Sequence, residues 1–141
     1  MKVNSEELWK MNDSSFFKSP HRRIWISLGA TIIAAIWLLS LIPHPPHIGF
    51  EGEDKVGHVV AYGVMMLWWS QILIRSRNHL IIAAAFVAMG ILIEFVQRWT
   101  GWRTFEVADM IADAIGVALG WCIACTPAGS ILVRFESAFL S

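Results

Sequence analysis

Charge is what this chain of 141 residues has least of. Asp, Glu, Lys and Arg together make up only 16% of it, against about 25% in an ordinary soluble domain. Hydrophobic residues reach 56% and mean hydropathy is +0.56. That balance excludes a typical soluble fold and predicts a membrane protein of one domain. A basic excess is also missing: 11 Lys and Arg stand against 11 Asp and Glu. A nucleic-acid partner is therefore not expected. Cysteine is scarce. Cys122 and Cys125 have Cys-x-x-Cys spacing, but no second pair of ligands lies nearby to complete a zinc site. The pair reads as two small apolar residues inside a helix. Internal repeats, low-complexity segments and any familiar metal or nucleophile motif are absent.

What remains is a set of long apolar runs. The chain reads as all-α, a membrane helical bundle of four transmembrane helices. The expected spans are about 24–42, 55–74, 79–97 and 109–126, each close to the length that crosses a bilayer. They form a domain over 24–134, between a polar tail at 1–23 and a C-terminal tail at 135–141. The first run is too long for a cleaved signal and no small-residue cleavage site follows it, so it is expected to be retained. Leu8, Trp9, Phe16 and Phe17 in the tail could rest on the membrane surface. Pro43, Pro45 and Pro46 stop the first helix, and His44 and His47 beside them read as part of a solvated turn. Asp54 is the expected N-cap of the second helix. Trp68 and Trp69 mark its far end, where interfacial aromatics collect. Residues 98–108 read as an interfacial loop. Past Pro127 and Gly129 a short amphipathic stretch is expected.

Placement of Lys and Arg sets orientation. With the N-terminus in the cytoplasm, the tail, the 75–78 turn and the C-terminus hold eight of them. The other side holds three, Lys55, Arg98 and Arg103. Both termini are therefore expected to be cytoplasmic, in a bacterial plasma (inner) membrane.

The scarce acids are not scattered. Seven of the eleven fall on the outer side. Asp54, His58 and Tyr62 step by four and share one helix face. Glu94 and Gln97 are three apart. Asp109, Asp113, Gly116 and Gly120 step by four, three and four, placing carboxylates beside a small-residue stripe that admits a neighbouring helix. Charge at the edge of lipid is costly and points to function. The predicted ligand-binding set is Lys55, His58, Tyr62, Glu94, Gln97, Arg103, Asp109 and Asp113, gathered in a polar pocket open to the outer face. No polar residues continue toward the cytoplasmic half, which argues against an ion path.

These same residues resemble the VanZ-like family of small bacterial membrane proteins. The resembling segments are Asp54-Lys55-x-x-His58-x-x-x-Tyr62, then Glu94-x-x-Gln97, then Arg103 followed by Asp109-x-x-x-Asp113-x-x-Gly116. They span roughly residues 50–120, three of the four expected helices. The family usually has Asn where this chain has Asp113. The resemblance implies a role at the cell envelope. Through the glycopeptide-resistance protein that gives the family its name, it also implies a link to resistance or envelope homeostasis. It carries no catalytic residues over.

Three functions compete on these residues. In the first, the pocket binds a phospholipid head group or a lipid-linked wall precursor. Lys55, Arg98 and Arg103 attract phosphate, and the carboxylates accept from sugar or amine groups or hold a cation. In the second, the protein is a membrane-embedded hydrolase or transferase acting on such a lipid. His58 is then the general base, Asp54 orients it, and Glu94, Asp109 and Asp113 hold a divalent cation. In the third, the polar cluster only fixes the register of a structural helix bundle. The first is the expected reading.

Overall fold

The computed structural model describes residues 21–43, 49, 52–73, 76–101 and 103–139. The tail expected to lie on the membrane and the His44–His47 turn fall outside these residues. Among the described residues there is no strand. The chain is helical: α1 Arg22–Leu41, α2 Glu53–Ile72, α3 Ser76–Thr100 and α4 Val107–Ala124. A 3-10 turn, Pro127–Ser130, leads into a short α5, Ile131–Phe139. Helix α5 continues through residues 134 and 135, the boundary expected between domain and tail.

The long helices alternate in direction. The start of α1 meets the end of α2, where the Trp25 and Trp68 rings pack edge-on at 6.0 Å and the Trp68 Nε1 donates to the Trp25 carbonyl at 3.1 Å. At that same end a His79 ring nitrogen lies 3.1 Å from the Ser70 carbonyl oxygen. At the opposite end, Gln97 Nε2 near the close of α3 donates to the Ser40 carbonyl of α1 at 2.7 Å. The starts of α2 and α4 therefore share one end of the bundle with the close of α3.

Three of these helices, α1, α3 and α4, are long and apolar enough to cross a membrane. Helix α2 falls short, although a span was expected there. The reason lies in its sequence. It opens on Glu53, Asp54 and Lys55, carries His58, and closes with Ser70 and Gln71. It is also the helix most enclosed by the others, with Tyr62, Met65, Met66 and Ile72 buried. A helix wrapped by protein need not match lipid on every side.

Close packing of α2 on α4 depends on missing side chains. A Cβ at Gly116 would stand 2.5 Å from the Val59 carbonyl oxygen, and one at Gly120 would collide with the Gly63 carbonyl oxygen. The two backbones are in direct contact, as small-residue stripes permit. Around this seam a core of Ile36, Phe86, Ile93 and Val117 forms with Met65 and Met66. Outside it, Leu38, Leu39, Val60, Val64, Ile81, Leu92, Ile111 and Leu119 are exposed. An apolar coat of this extent is what a lipid-facing surface requires.

Several expected details shift. Asp54 is not the cap of α2; Gly52 is, at φ +82°. That left-handed turn suits glycine, so the helix starts earlier and leaves Asp54 in its first turn, where a carboxylate still favours the helix dipole. Helix α3 continues to Thr100, so residues expected in the 98–108 loop are partly helical. Trp68 and Trp69 pack against α1: a Cβ on Gly29 would meet both rings at 3.0 Å. Gln71 Oε1 accepts from the Leu132 amide at 2.9 Å and so ties α5 to the end of α2.

Candidate functional site

The polar cluster is assembled from four pieces of chain at one end of the bundle. Helix α2 contributes Asp54 and Lys55 in its first turn and His58 one turn further on. Helix α4 contributes Asp109 and Asp113, also one turn apart, above the glycine seam. The connection between α3 and α4 contributes Arg103 and Glu106. The last turns of α3 contribute Glu94.

Lys55 is the central cation. Its Nζ pairs with Asp109, reaches Glu106 Oε2 at 2.6 Å and Asp54 Oδ2 at 3.3 Å. Arg103 closes the rim by donating to Asp54 Oδ1 at 3.0 Å. Deeper in, His58 Nδ1 lies 2.8 Å from Asp113 Oδ1. Its other nitrogen, Nε2, faces Asp109 Oδ2 at 3.7 Å and Asp54 Oδ1 at 3.9 Å. A carboxylate on Nδ1 favours the tautomer with its proton there, which leaves Nε2 free to accept.

Exposure grades from rim to floor. The side chains of Glu106 and Asp54 are 44% and 40% exposed, whereas those of Asp109 and Asp113 are 3%. Glu94 is 1% exposed. At the rim, the Lys55 ammonium holds the Glu106 carboxyl below the usual glutamate range by hydrogen bonding and by its charge.

Glu94 does not pair with Arg98 or Arg103 in a salt bridge. Its Oε2 accepts from the Glu106 amide at 3.0 Å, which pins the connection to α3. Its Oε1 is buried without a hydrogen-bond partner. The Tyr62 hydroxyl is likewise buried, beside Asp113. Gln97 lies apart. Its amide is spent on Ser40 of α1, so it ties helices together and does not face the cluster. Arg98 is also apart, stacked 5.7 Å from the centre of the Phe105 ring.

Two residues that sequence reasoning omitted from the set belong to it geometrically. Glu106 is the second partner of Lys55; the only hint was its place three residues before Asp109. Gly90 makes room for the floor: a Cβ there would collide with Asp113 Oδ2. Its spacing of four from Glu94 was the available signal.

Taken formally, Asp54, Glu94, Glu106, Asp109 and Asp113 contribute −5, Lys55 and Arg103 contribute +2, and the sum is −3 with His58 neutral. Such a site favours cations and hydrogen-bond donors over bare anions.

The chain matches the family model described as VanZ/LLP1 over residues 4–132. No curated protein and no solved structure matches it.

Proposed function

Since the chain belongs to the VanZ/LLP1 family and is built of membrane-length apolar helices, we propose that it is a multi-pass envelope protein whose polar cluster engages a lipid head group. The observation that carries this is the graded exposure from Glu106 and Asp54 to Asp109 and Asp113. A scaffold would gain as much from a sealed set of pairs. This set is open at its rim, and its formal charge suits an amine. The head group of a phospholipid or lipid-linked wall precursor would place an amine or hydroxyls against the carboxylates, with Arg103 beside its phosphate. On the orientation set by Lys and Arg, the second helix also spans and the cluster faces outward.

The test is photo-crosslinking of detergent-purified protein with a phosphatidylethanolamine probe and a phosphatidylglycerol probe. The amine-bearing probe is expected to label more strongly, and Asp54→Asn and Arg103→Ala to weaken that labelling without lowering thermal stability. Equal labelling by both probes, or labelling untouched by both substitutions, overturns the proposal.

One observation favours a second reading. His58 held by Asp113 at 2.8 Å, with Nε2 free, has the geometry of a positioned general base. Release of a free head group from the amine-bearing probe by the native protein, lost in His58→Gln, would select a hydrolase or transferase.

A further inference from the structure

We propose that the inner part of this cluster is a divalent transition-metal site, with His58 Nε2, Asp109 Oδ2 and Asp54 Oδ1 as protein ligands and Asp113 as the residue that orients His58. The inference rests on the reading that this cluster is the working site, and it names the ion that site would hold.

Geometry comes first. Donor atoms that share an ion at about 2.0–2.2 Å stand roughly 3–4 Å from one another. His58 Nε2 lies 3.7 Å from Asp109 Oδ2 and 3.9 Å from Asp54 Oδ1. One atom from each of the three residues falls within a sphere of mutual separations under 4.8 Å. Lys55 does not occupy the position. It pairs with the other oxygen of each carboxylate, Oδ1 of Asp109 and Oδ2 of Asp54. The two cations would thus bind opposite edges of the same carboxylates. Arg103 does share Asp54 Oδ1, an oxygen with a second lone pair.

The orientation of His58 is the next feature. A histidine that binds metal through one nitrogen usually gives its other N–H to a carboxylate. Asp113 takes that place on Nδ1 at 2.8 Å.

An independent observation comes from α3. Glu94 Oε1 is buried and lacks a hydrogen-bond partner, in a residue 1% exposed. Buried polar atoms are almost always satisfied. Glu94 Oε2 is bonded to the Glu106 amide, in the connection whose carboxylate also pairs with Lys55, so the residue that carries the unpartnered oxygen is tied into the same cluster. A divalent ion would also take the formal charge of the cluster from −3 to −1. An imidazole among carboxylates suits Mn2+, Fe2+ or Zn2+ better than Mg2+ or Ca2+.

The probe is Mn2+, titrated into the detergent-purified full chain and followed by electron paramagnetic resonance, with Zn2+ and Mg2+ as competitors. One bound Mn2+ per chain is expected, displaced by Zn2+ and not by equal Mg2+. His58→Gln is expected to abolish it. Asp113→Asn is expected to weaken it about 10- to 100-fold by disorienting the imidazole. Asp54→Asn, at the exposed rim where folding is least at risk, is expected to weaken it as well. No Mn2+ bound, or binding unchanged in both Asp54→Asn and His58→Gln, overturns the metal site. No Mn2+ bound by the native protein, with its lipid labelling intact, would sink the metal and spare the head-group reading; Mn2+ bound by the native protein without lipid labelling would do the reverse.

Discussion

At the scale of single residues, Lys55 is the group on which the rim depends. It joins α2 to Asp109 of α4 and to Glu106 of the connection. Because the Glu106 carboxyl is held below its ordinary value by Lys55, the folded state favours the ionised form. Such a group contributes stability above its unfolded-state value, and that contribution is lost as pH falls through the lower folded one. The native protein is therefore expected to lose thermal stability on acidification below the ordinary glutamate range. Glu106→Gln, which has no carboxyl to titrate there, is expected to show a shallower acid limb. Glu106 is nearly half exposed, so the difference is small. Parallel melting curves from pH 3 to pH 7 would check it, and identical limbs would argue against the tie.

Among elements, the α2–α4 seam is the most demanding. A methyl group at Gly120 has no room beside the Gly63 carbonyl. Gly120→Ala is expected to cost about 1–3 kcal/mol through overpacking. Gly57, on the same helix as Gly63, has open space where its Cβ would be. Gly57→Ala is expected to be neutral or to gain up to about 1 kcal/mol from helix propensity. Melting temperatures of the two variants in one detergent decide the matter, and equal losses would contradict the seam. Much of this element structure was legible in advance. The four-residue steps Asp54–His58 and Asp109–Asp113 put on facing surfaces groups that meet in the cluster, and the Gly116–Gly120 stripe marked where a helix would approach. Other features were hidden for physical reasons. Gly52 sets the start of α2 through a backbone angle that no periodicity records. Gly90 matters only because a carboxylate from a distant helix needs its volume. Glu106 looked like a loop acid until Lys55 was placed beside it. Trp68 and Trp69 carry the same composition whether they face lipid or protein.

The molecule as a whole is a bundle coated in apolar residues with one polar end. Family membership covers nearly all of it, and the proposed topology, drawn from the distribution of Lys and Arg, turns that end outward. Single cysteines introduced into a Cys122→Ser, Cys125→Ser background test the orientation. A membrane-impermeant maleimide applied to intact cells is expected to label Glu106→Cys and to leave Ala138→Cys unlabelled until the membrane is opened. The opposite pattern would invert the topology and place the cluster inside.

The modest hydropathy of α2 also bears on how the protein is made. Its first turn leaves the ribosome with charges that acyl chains would reject. The residue that answers Lys55 from α4 is Asp109, 54 positions further along. The tie from Lys55 to Asp109 therefore closes only once both helices have been made.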